Sequence, residues 1–527
     1  MTEIVIGSGL CAWAAIQGIL RRGGKPLVLD IGDDLEPVRE AIRARLSGSS
    51  PAEWSSAGLE FMTEPRTNRG SVPVKTYLGS TFMYSQDEVP QADGSFHPGS
   101  PPYSTALGGF SRAWGGAYLL PNLSDVADWP VSYELLISSI RQVFRDVATS
   151  EPPSPLHRYF PRMREQVSAS SLRQDPGQQE LLRRLAASSA TASTSPLVVG
   201  QSNLMTDTIA SSSKTCHYCG LCNVGCVYES IFSSDQQIKS LLNEGRISYE
   251  KDLVVLTVRE SGDEVVVRAR DRETEEIRTY TASKVYLAAG AVNSTRILLS
   301  SMGMYGSPVQ LLKTGSSLEL FLTHRPLPLT WPHTNTQSTV FVDFIHEPSS
   351  SHWVHGQLSF PNELILLRLG QKHRLPPGRI RSSLAARIVG GILNTHSSIA
   401  QNISLRISAL DYDGSAPLEV KVTSGDEFAR KLAGREFRKI MRSAGLFPAP
   451  LKATGNAGNF GYHLGGTFPM TESPARDTDT DPFGRPFGWR NIHVVDTSVL
   501  PSLPATTIGA LASGNAFRIG LEMAATN

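Results

Sequence analysis

The sequence predicts an α/β protein that combines a parallel sheet with a second, mostly antiparallel sheet, and three observations support this fold class. Near the N-terminus, "EIVIGSGLCAWAAIQGILRRGGKPLVLDIG" runs as an apolar strand, a glycine-rich turn, a helix and a second apolar strand. Residues 250–299 contain two alternating runs followed by a strand, a glycine turn and a helix. Residues 310–425 carry alternating or apolar runs such as "STVFVDFIH", which are typical of an antiparallel sheet.

The first turn has the glycine spacing of a dinucleotide-binding βαβ unit. Gly7 and Gly9 lie at the turn, and Ala12 occupies the third small position of a G-x-G-x-x-A pattern. The first glycine permits the tight turn, and the second lets a pyrophosphate approach the backbone at the start of the helix. Asp30 ends the second strand, where a carboxylate binds a ribose hydroxyl. The motif in this context predicts a Rossmann-like dinucleotide site.

Composition excludes some functions and locations. The chain has 527 residues, and its 50 Lys and Arg balance 49 Asp and Glu, so no overall charge attracts nucleic acid. No apolar run approaches the length of a membrane span. The N-terminus shows no basic region followed by an apolar segment, so we expect a cytoplasmic protein with reduced cysteines.

Four of the five cysteines lie in "KTCHYCGLCNVGCVYES", at Cys216, Cys219, Cys222 and Cys226. Their C-x2-C-x2-C-x3-C spacing is that of a bacterial ferredoxin run, although valine follows the last cysteine where ferredoxins have proline. The spacing favours an iron–sulfur cluster (3Fe-4S or 4Fe-4S) over a tetrahedral zinc site, which usually uses two separated cysteine pairs. Free thiols or a disulfide remain alternatives.

Four ordered blocks resemble the glucose–methanol–choline (GMC) oxidoreductase family. The N-terminal βαβ unit is the first, and "LGGFSRAWGGAYLLPNLSDVADWPVSYELL" (107–136) is the second. The third is "VYLAAGAVNSTRILLSS" (285–301). The fourth combines "GYHLGGTFPM" with "NIHVVDTSVLPS" and a closing "TIGALA" helix. The chain is thus similar to a bacterial-type GMC member that carries a cysteine cluster, and the likeness is weakest between about 302 and 455.

The resemblance implies a fold like that of GMC proteins and p-hydroxybenzoate hydroxylase. It would consist of a Rossmann-like FAD-binding domain and a substrate domain built on a mostly antiparallel sheet with helices. We expect the FAD-binding domain to comprise residues 1–46, 195–300 and 456–527. Residues 47–194 would form flavin-covering loops and linking helices, and residues 301–455 the substrate-binding domain.

The resemblance also implies how FAD is held. The pyrophosphate would lie on the first glycine turn, the adenosine ribose on Asp30, and the adenine against the strand of Val254. The loop at Gly108 and Gly109 would lie along the flavin, and the helix that begins near Thr507 would direct its positive end at the isoalloxazine. The cofactor-binding residues implied in this way are Gly7, Gly9, Asp30, Gly109, Trp114, Gly115, Val254, Gly290, Asp496, Thr507 and Ile508.

His463 is the catalytic candidate, because the family places the histidine of its H-x-x-G-T motif over the flavin. Oxidation of an alcohol removes the hydroxyl proton as hydride leaves the carbon for flavin N5. An imidazole has a pKa close to neutral pH and accepts such a proton. The resemblance thus implies an FAD-dependent dehydrogenase that acts on a CH–OH or related CH–CH group of a small molecule, with dioxygen, a quinone or a redox protein as the electron acceptor.

One position departs from the family pattern. Family members carry a His or Asn before a proline near the last helix, and this chain has Leu503 there. Leucine neither donates a hydrogen bond nor accepts a proton. Thr506, Thr507 or a residue of the substrate domain would have to supply that polar contact. Two alternatives therefore stay open: an FAD oxidase that produces hydrogen peroxide, and a non-redox flavin-dependent lyase or isomerase of a biosynthetic pathway.

Overall fold

The computed structural model describes most of the chain. The described residues are 2–55, 58, 77–80, 82, 94–164, 171–189, 196–222, 224–329, 335–360, 383, 385–408, 417–449 and 461–522. All the residues proposed above for cofactor binding, catalysis and metal binding lie within these ranges.

Eight α-helices and twenty-one strands are found in the described residues. The helices are α1 Leu10–Arg21, α2 Pro37–Ser47, α3 Tyr133–Val143, α4 Pro176–Ser189, α5 Ser234–Asn243, α6 Ala291–Met302, α7 Glu427–Ser443 and α8 Gly509–Gly520. The strands are β1 Glu3–Ile6, β2 Leu27–Leu29, β3 Phe96–Pro98, β4 Ala117–Tyr118, β5 Leu197–Gln201, β6 Asn203–Leu204, β7 Ser248–Glu250, β8 Leu253–Ser261, β9 Glu264–Asp271, β10 Ile277–Ala282, β11 Lys284–Leu287, β12 Val309–Lys313, β13 Gly315–Thr323, β14 Val340–His346, β15 Ser350–Ser359, β16 Ile388–Thr395, β17 Asn402–Ile407, β18 Leu418–Thr423, β19 Leu446–Pro448, β20 Leu464–Gly465 and β21 Ile492–Val494.

A five-stranded parallel sheet of order β21-β11-β1-β2-β7 forms the first core. Its inner strands are short and largely apolar, as parallel strands covered on both faces are expected to be. Helix α8 packs on α1, and Gly520 lies so close to α1 that a Cβ there would be 2.3 Å from the carbonyl oxygen of Ala15. The last helix therefore closes onto the N-terminal βαβ unit.

A six-stranded antiparallel sheet of order β19-β13-β16-β15-β14-β5 forms the second core. One face packs on α7, where Phe437 belongs to a buried cluster that includes Leu393, Val342 and Val354. The predicted α/β fold with a mostly antiparallel second sheet is confirmed. Strand β5 is the edge strand of this sheet, although it falls within the 195–300 range expected for the FAD-binding domain.

The described residues also form three smaller antiparallel sheets. Strands β10-β9-β8 form one, β20-β12-β17-β18-β3 another, and β4 pairs with β6. Among the described residues, no helix has both the length and the apolar character needed to cross a membrane. Strand β12 pairs with β20, the strand that follows His463, and leads directly into β13. The segment that carries the candidate histidine is thus paired with β12, the strand that precedes β13 of the six-stranded sheet.

Candidate active site

A cleft of about 520 Å³ opens at the carboxyl ends of the parallel strands. Ile6, Leu29 and Ala288, which end or follow β1, β2 and β11, line its floor. Ligands of open α/β sheets bind at this edge, because the loops that follow the strands diverge there. The volume is within the range of small-molecule and cofactor sites.

The first turn requires glycine at its first position. Gly7 has φ +103°, and a Cβ on it would lie 2.5 Å from the carbonyl oxygen of Ala288. Gly109, with φ +55°, approaches the same turn so closely that its Cβ would be 3.3 Å from Gly9 Cα. A Cβ on Gly9 would meet no atom within 4 Å, so this part of the turn faces open space. The turn therefore presents bare backbone to the cleft.

Three helices begin at residues that line this cleft. Helices α1, α6 and α8 start after Gly9, Gly290 and Ile508, and no side chain caps any of the three N-termini. No acidic residue occurs in their first turns. The unpaired amides and the helix dipoles make the cleft favourable for an anion.

Asp496 holds the backbone of the glycine turn at Gly290, which precedes α6, through hydrogen bonds. Its carboxylate accepts hydrogen bonds from the Gly290 amide, at 2.9 Å, and from the hydroxyl of Ser294. Burial raises the pKa of Asp496. These hydrogen bonds position the Gly290 backbone at the first turn of α6. Asp496 also lines the cleft.

Asp30 follows β2 at the rim of the cleft, as predicted. Its Oδ2 accepts hydrogen bonds from the Ser8 hydroxyl and, at 3.1 Å, from the Tyr249 hydroxyl. Burial raises the pKa of Asp30 to about 7, although both hydrogen bonds act in the opposite direction. Ser8 also accepts the Gly108 amide at 2.9 Å, so one hydroxyl joins the first turn, the Asp30 carboxylate and the loop at Gly108.

Sequence reasoning missed three arginines that line the cleft: Arg270, Arg272 and Arg296. Arg272 donates to Asp33 at 2.7 Å, and the guanidinium of Arg296 lies over the Tyr103 ring at 5.7 Å. Their positive charge complements an anionic ligand. Arg296 was detectable in principle, because it lies on α6, the helix that begins after the predicted cofactor-binding residue Gly290.

His463 lines the same cleft, half-buried between Tyr462 and Leu464. Its carbonyl oxygen accepts the Thr314 amide at 3.2 Å, and the Tyr462 ring meets Phe110 edge to face at 5.4 Å. The backbone of the histidine and the ring before it are therefore anchored. The arrangement places an imidazole, a proton acceptor, in the cavity that the glycine turns surround.

Most of the residues named for cofactor binding converge on the cleft. Those that line it are Gly7, Gly9, Asp30, Gly109, Trp114, Val254, Gly290, Asp496 and Ile508. Gly115 and Thr507 do not line it. The carbonyl oxygen of Gly115 accepts the side-chain amide of Gln337, and the Thr507 hydroxyl accepts the Leu119 amide at 2.8 Å. Both residues serve structural contacts beside the cleft.

Two of the four clustered cysteines, Cys222 and Cys226, line a small crevice together with Trp114, which also lines the cleft. Burial, with a smaller contribution from the neighbouring thiols, raises the pKa of Cys216 to about 12, and burial also raises the pKa values of Cys219 and Cys222. Within the described residues, which include all four cysteines, no three His, Cys, Asp or Glu side chains are arranged to hold a metal ion. The predicted iron–sulfur cluster is therefore not supported.

The parallel sheet and the glycine-lined cleft define a dinucleotide-binding α/β protein. The residues present fit FAD: a turn with no room for a Cβ at Gly7 and three uncapped helix N-termini suit its pyrophosphate. Val254 and His463 both line this cleft.

Comparisons with known proteins agree with this class. The family model described as GMC oxidoreductase matches residues 404–516, which include His463, Leu503 and Asp496. A 6'''-hydroxyparomomycin C oxidase of Streptomyces lividus is 27% identical over 258 residues, which cover 46% of this chain and 44% of that protein. The match therefore spans less than half of this relative's length.

The fold is similar to that of pyridoxine 4-oxidase from Mesorbium loti. The TM-score is 0.57 with 14% sequence identity, and the similarity covers 99% of each chain. The C-terminal region is thus similar to GMC oxidoreductases, and the fold of the whole chain is similar to that of pyridoxine 4-oxidase. GMC oxidoreductases bind FAD.

Proposed function

We propose that this protein is an FAD-dependent oxidoreductase that oxidises a CH–OH group of a small molecule, with His463 as the base. The observation that carries the proposal is that one cleft contains both His463 and the glycine turns that suit a dinucleotide. A cofactor held along those turns and a substrate hydroxyl near the imidazole would share the same cavity. The base would thus act on the hydroxyl group, and the electron acceptor on the carbon atom that carries it.

The chain's own residues have three tasks in this reaction. The turns at Gly7 and Gly290 would hold the diphosphate of FAD near the N-termini of α1 and α6. FAD, when bound, supplies the acceptor for the hydride. His463 takes the hydroxyl proton, and the N-terminus of α8 stabilises negative charge at the flavin end of the cleft.

We favour dioxygen as the final electron acceptor, which makes the protein an oxidase that releases hydrogen peroxide. Two observations support this choice over a dehydrogenase. Both relatives, the 6'''-hydroxyparomomycin C oxidase and the pyridoxine 4-oxidase, are named as oxidases. The cysteine motif, which would have offered a one-electron exit, is not arranged as a metal site in the described residues.

Anaerobic reduction of the purified, FAD-loaded protein tests the proposal. Glucose, choline, pyridoxine and benzyl alcohol are added in turn, and flavin absorbance near its visible maximum is followed. The proposal expects bleaching by at least one hydroxyl compound, and peroxide when air is admitted. Bleaching without peroxide would identify a dehydrogenase. A substrate that is converted while the flavin never bleaches would instead favour the lyase or isomerase.

A further inference from the structure

A row of polar side chains crosses four neighbouring strands of the six-stranded sheet. Ser316 on β13, Asn394 on β16, His355 on β15 and Asp343 on β14 lie directly opposite one another in the strand register. Ser316 Oγ donates to Asn394 Oδ1 at 2.7 Å, and His355 Nδ1 bonds Asp343 Oδ1 at 2.7 Å. We call these four residues the polar row.

The polar row lies on the face of the sheet away from α7. Leu393 and Val342 belong to the cluster around Phe437 of α7, so Asn394 and Asp343, one residue further on, point to the other face. A Cβ on Gly356 would lie 2.7 Å from the Phe437 ring, which places the adjacent His355 on the same opposite face. The row is therefore continuous on one surface.

Three of its members are buried, and one of these has an unpaired oxygen. His355 and Asp343 are 0% exposed and Asn394 is 4% exposed. Among the described residues, Asp343 Oδ2 has no hydrogen-bond partner. The hydrogen bond from Ser316 uses Asn394 Oδ1, and Nδ2 is the donor end of the same amide. Burying unpaired polar groups destabilises a fold, so a sheet built for packing alone would place apolar residues here.

The Ser316 end of the row lies beside the segment that carries His463. Thr314, two residues before Ser316, donates its amide to the His463 carbonyl oxygen at 3.2 Å. A Cβ on Gly461, two residues before His463, would lie 3.1 Å from Ser316 Oγ. The amide of Asn394, which Ser316 holds, is therefore next to the loop of the base.

The end of β16 reaches the position of Leu503. Ser397, three residues after Asn394, accepts the Leu503 amide on its hydroxyl at 2.9 Å and donates its own amide to the Leu503 carbonyl oxygen at 3.0 Å. Leu503 is 0% exposed, and its side chain makes no hydrogen bond. The only β16 side chain with a polar group on the polar-row face, within the described strand Ile388–Thr395, is Asn394.

We propose that Asn394 is the second polar residue of the active site, with its Nδ2 donating a hydrogen bond to the substrate oxygen whose proton His463 accepts. This inference rests on the proposed function. Ser316 fixes the orientation of the amide by occupying Oδ1, and the Asp343–His355 pair is a positioning element behind it. A fixed donor stabilises the negative charge that develops on the oxygen as the proton leaves.

The test compares FAD-loaded wild-type protein with Asn394→Ala, Asn394→Asp, and the control Asn402→Ala, an exposed asparagine on β17. Two readouts are used: anaerobic flavin reduction by the best alcohol of the panel, and binding of 2,2,2-trifluoroethanol, a poor hydride donor, from the shift of the flavin spectrum. Both Asn394 variants should weaken trifluoroethanol binding and slow reduction about tenfold or more, the effect of one lost hydrogen bond to a charged oxygen. The control should match the wild type.

The outcomes separate the two proposals. Flavin reduction at the wild-type rate in both Asn394 variants would overturn the role of Asn394 alone. Failure of every alcohol to reduce the wild type would overturn the proposed function, and trifluoroethanol binding would then still decide the role of Asn394. The nearly isosteric Asn394→Asp keeps the test valid if Asn394→Ala does not fold. Recovery of binding in Asn394→Ala/Leu503→Asn would support the inference further.

Discussion

The amide of Thr314 donates a hydrogen bond of 3.2 Å to the carbonyl oxygen of His463. This bond links the candidate base to β13 of the six-stranded sheet, since Gly315 begins β13 directly after Thr314. The backbone of the candidate base is therefore held to the sheet by a contact that substitution of its side chain leaves in place.

His463→Ala should abolish most flavin reduction while FAD stays bound. The imidazole is the proton acceptor of the proposed reaction, and loss of a general base lowers rates about 10²–10⁴-fold. The measurement is the anaerobic reduction rate together with the flavin-to-protein ratio. His324→Ala, which alters an exposed histidine, is the matched control. An unchanged rate in His463→Ala would place the base elsewhere.

Gly7→Ala and Gly9→Ala should have different effects. A Cβ at position 7 meets the Ala288 carbonyl oxygen at 2.5 Å and requires φ +103°, so the FAD-free protein should lose roughly 1–3 kcal/mol of stability. A Cβ at position 9 meets no atom within 4 Å, so stability should be kept and only contact with the cofactor should suffer. Denaturant unfolding and FAD titration distinguish the two variants, and equal destabilisation of both would contradict this description of the turn.

The ionisation of Lys313 should contribute to the pH dependence of the free energy of unfolding. Burial lowers its pKa to about 7, against about 10.4 in an unfolded chain. Between these values the unfolded chain binds the extra proton, so this residue's contribution makes stability rise with pH, by at most about 1.4 kcal/mol per unit. Lys313→Met should remove this slope and raise the unfolding temperature at pH 7. The partly exposed Lys421, changed to Met, is the control.

The contribution of Asp30 to the pH dependence of stability should have the opposite sign to that of Lys313. Burial raises the pKa of Asp30 to about 7, so between about pH 4 and 7 the folded, FAD-free protein binds a proton that the unfolded chain has lost. Its contribution makes stability fall as pH rises through this window. Asp30→Asn should flatten that fall in denaturant unfolding at several pH values. The same variant should weaken FAD binding, because it removes the carboxylate acceptor. A slope identical to that of the wild type would show that Asp30 ionises normally.

The parts that depend on short stretches of chain were predictable from the sequence. The G-x-G-x-x-A turn predicted the open N-terminus of α1, and Asp30 lies at the end of β2 where the spacing put it. The cysteine spacing predicted a metal centre, which the described residues do not support. The spacing of cysteines along the chain does not determine the directions of their thiols, which depend on the surrounding core.

Contacts between distant strands could not be predicted in this way. Asn394 meets Ser316 across β16 and β13, and His355 meets Asp343 across β15 and β14. These pairs depend on strand order and register, and no local pattern specifies either one. The same is true of Arg270, which reaches the cleft from β9 although its own segment reads only as a hairpin strand.

The alternation of side chains along β16 has a consequence for how this protein can change in evolution. Leu393 supports the core around α7, and Asn394 faces the other side, so the two tasks alternate along one strand. Insertion or deletion of a single residue in β16 would exchange them, placing the amide in the core and the leucine on the catalytic side. The length of this strand is therefore constrained by both of its faces.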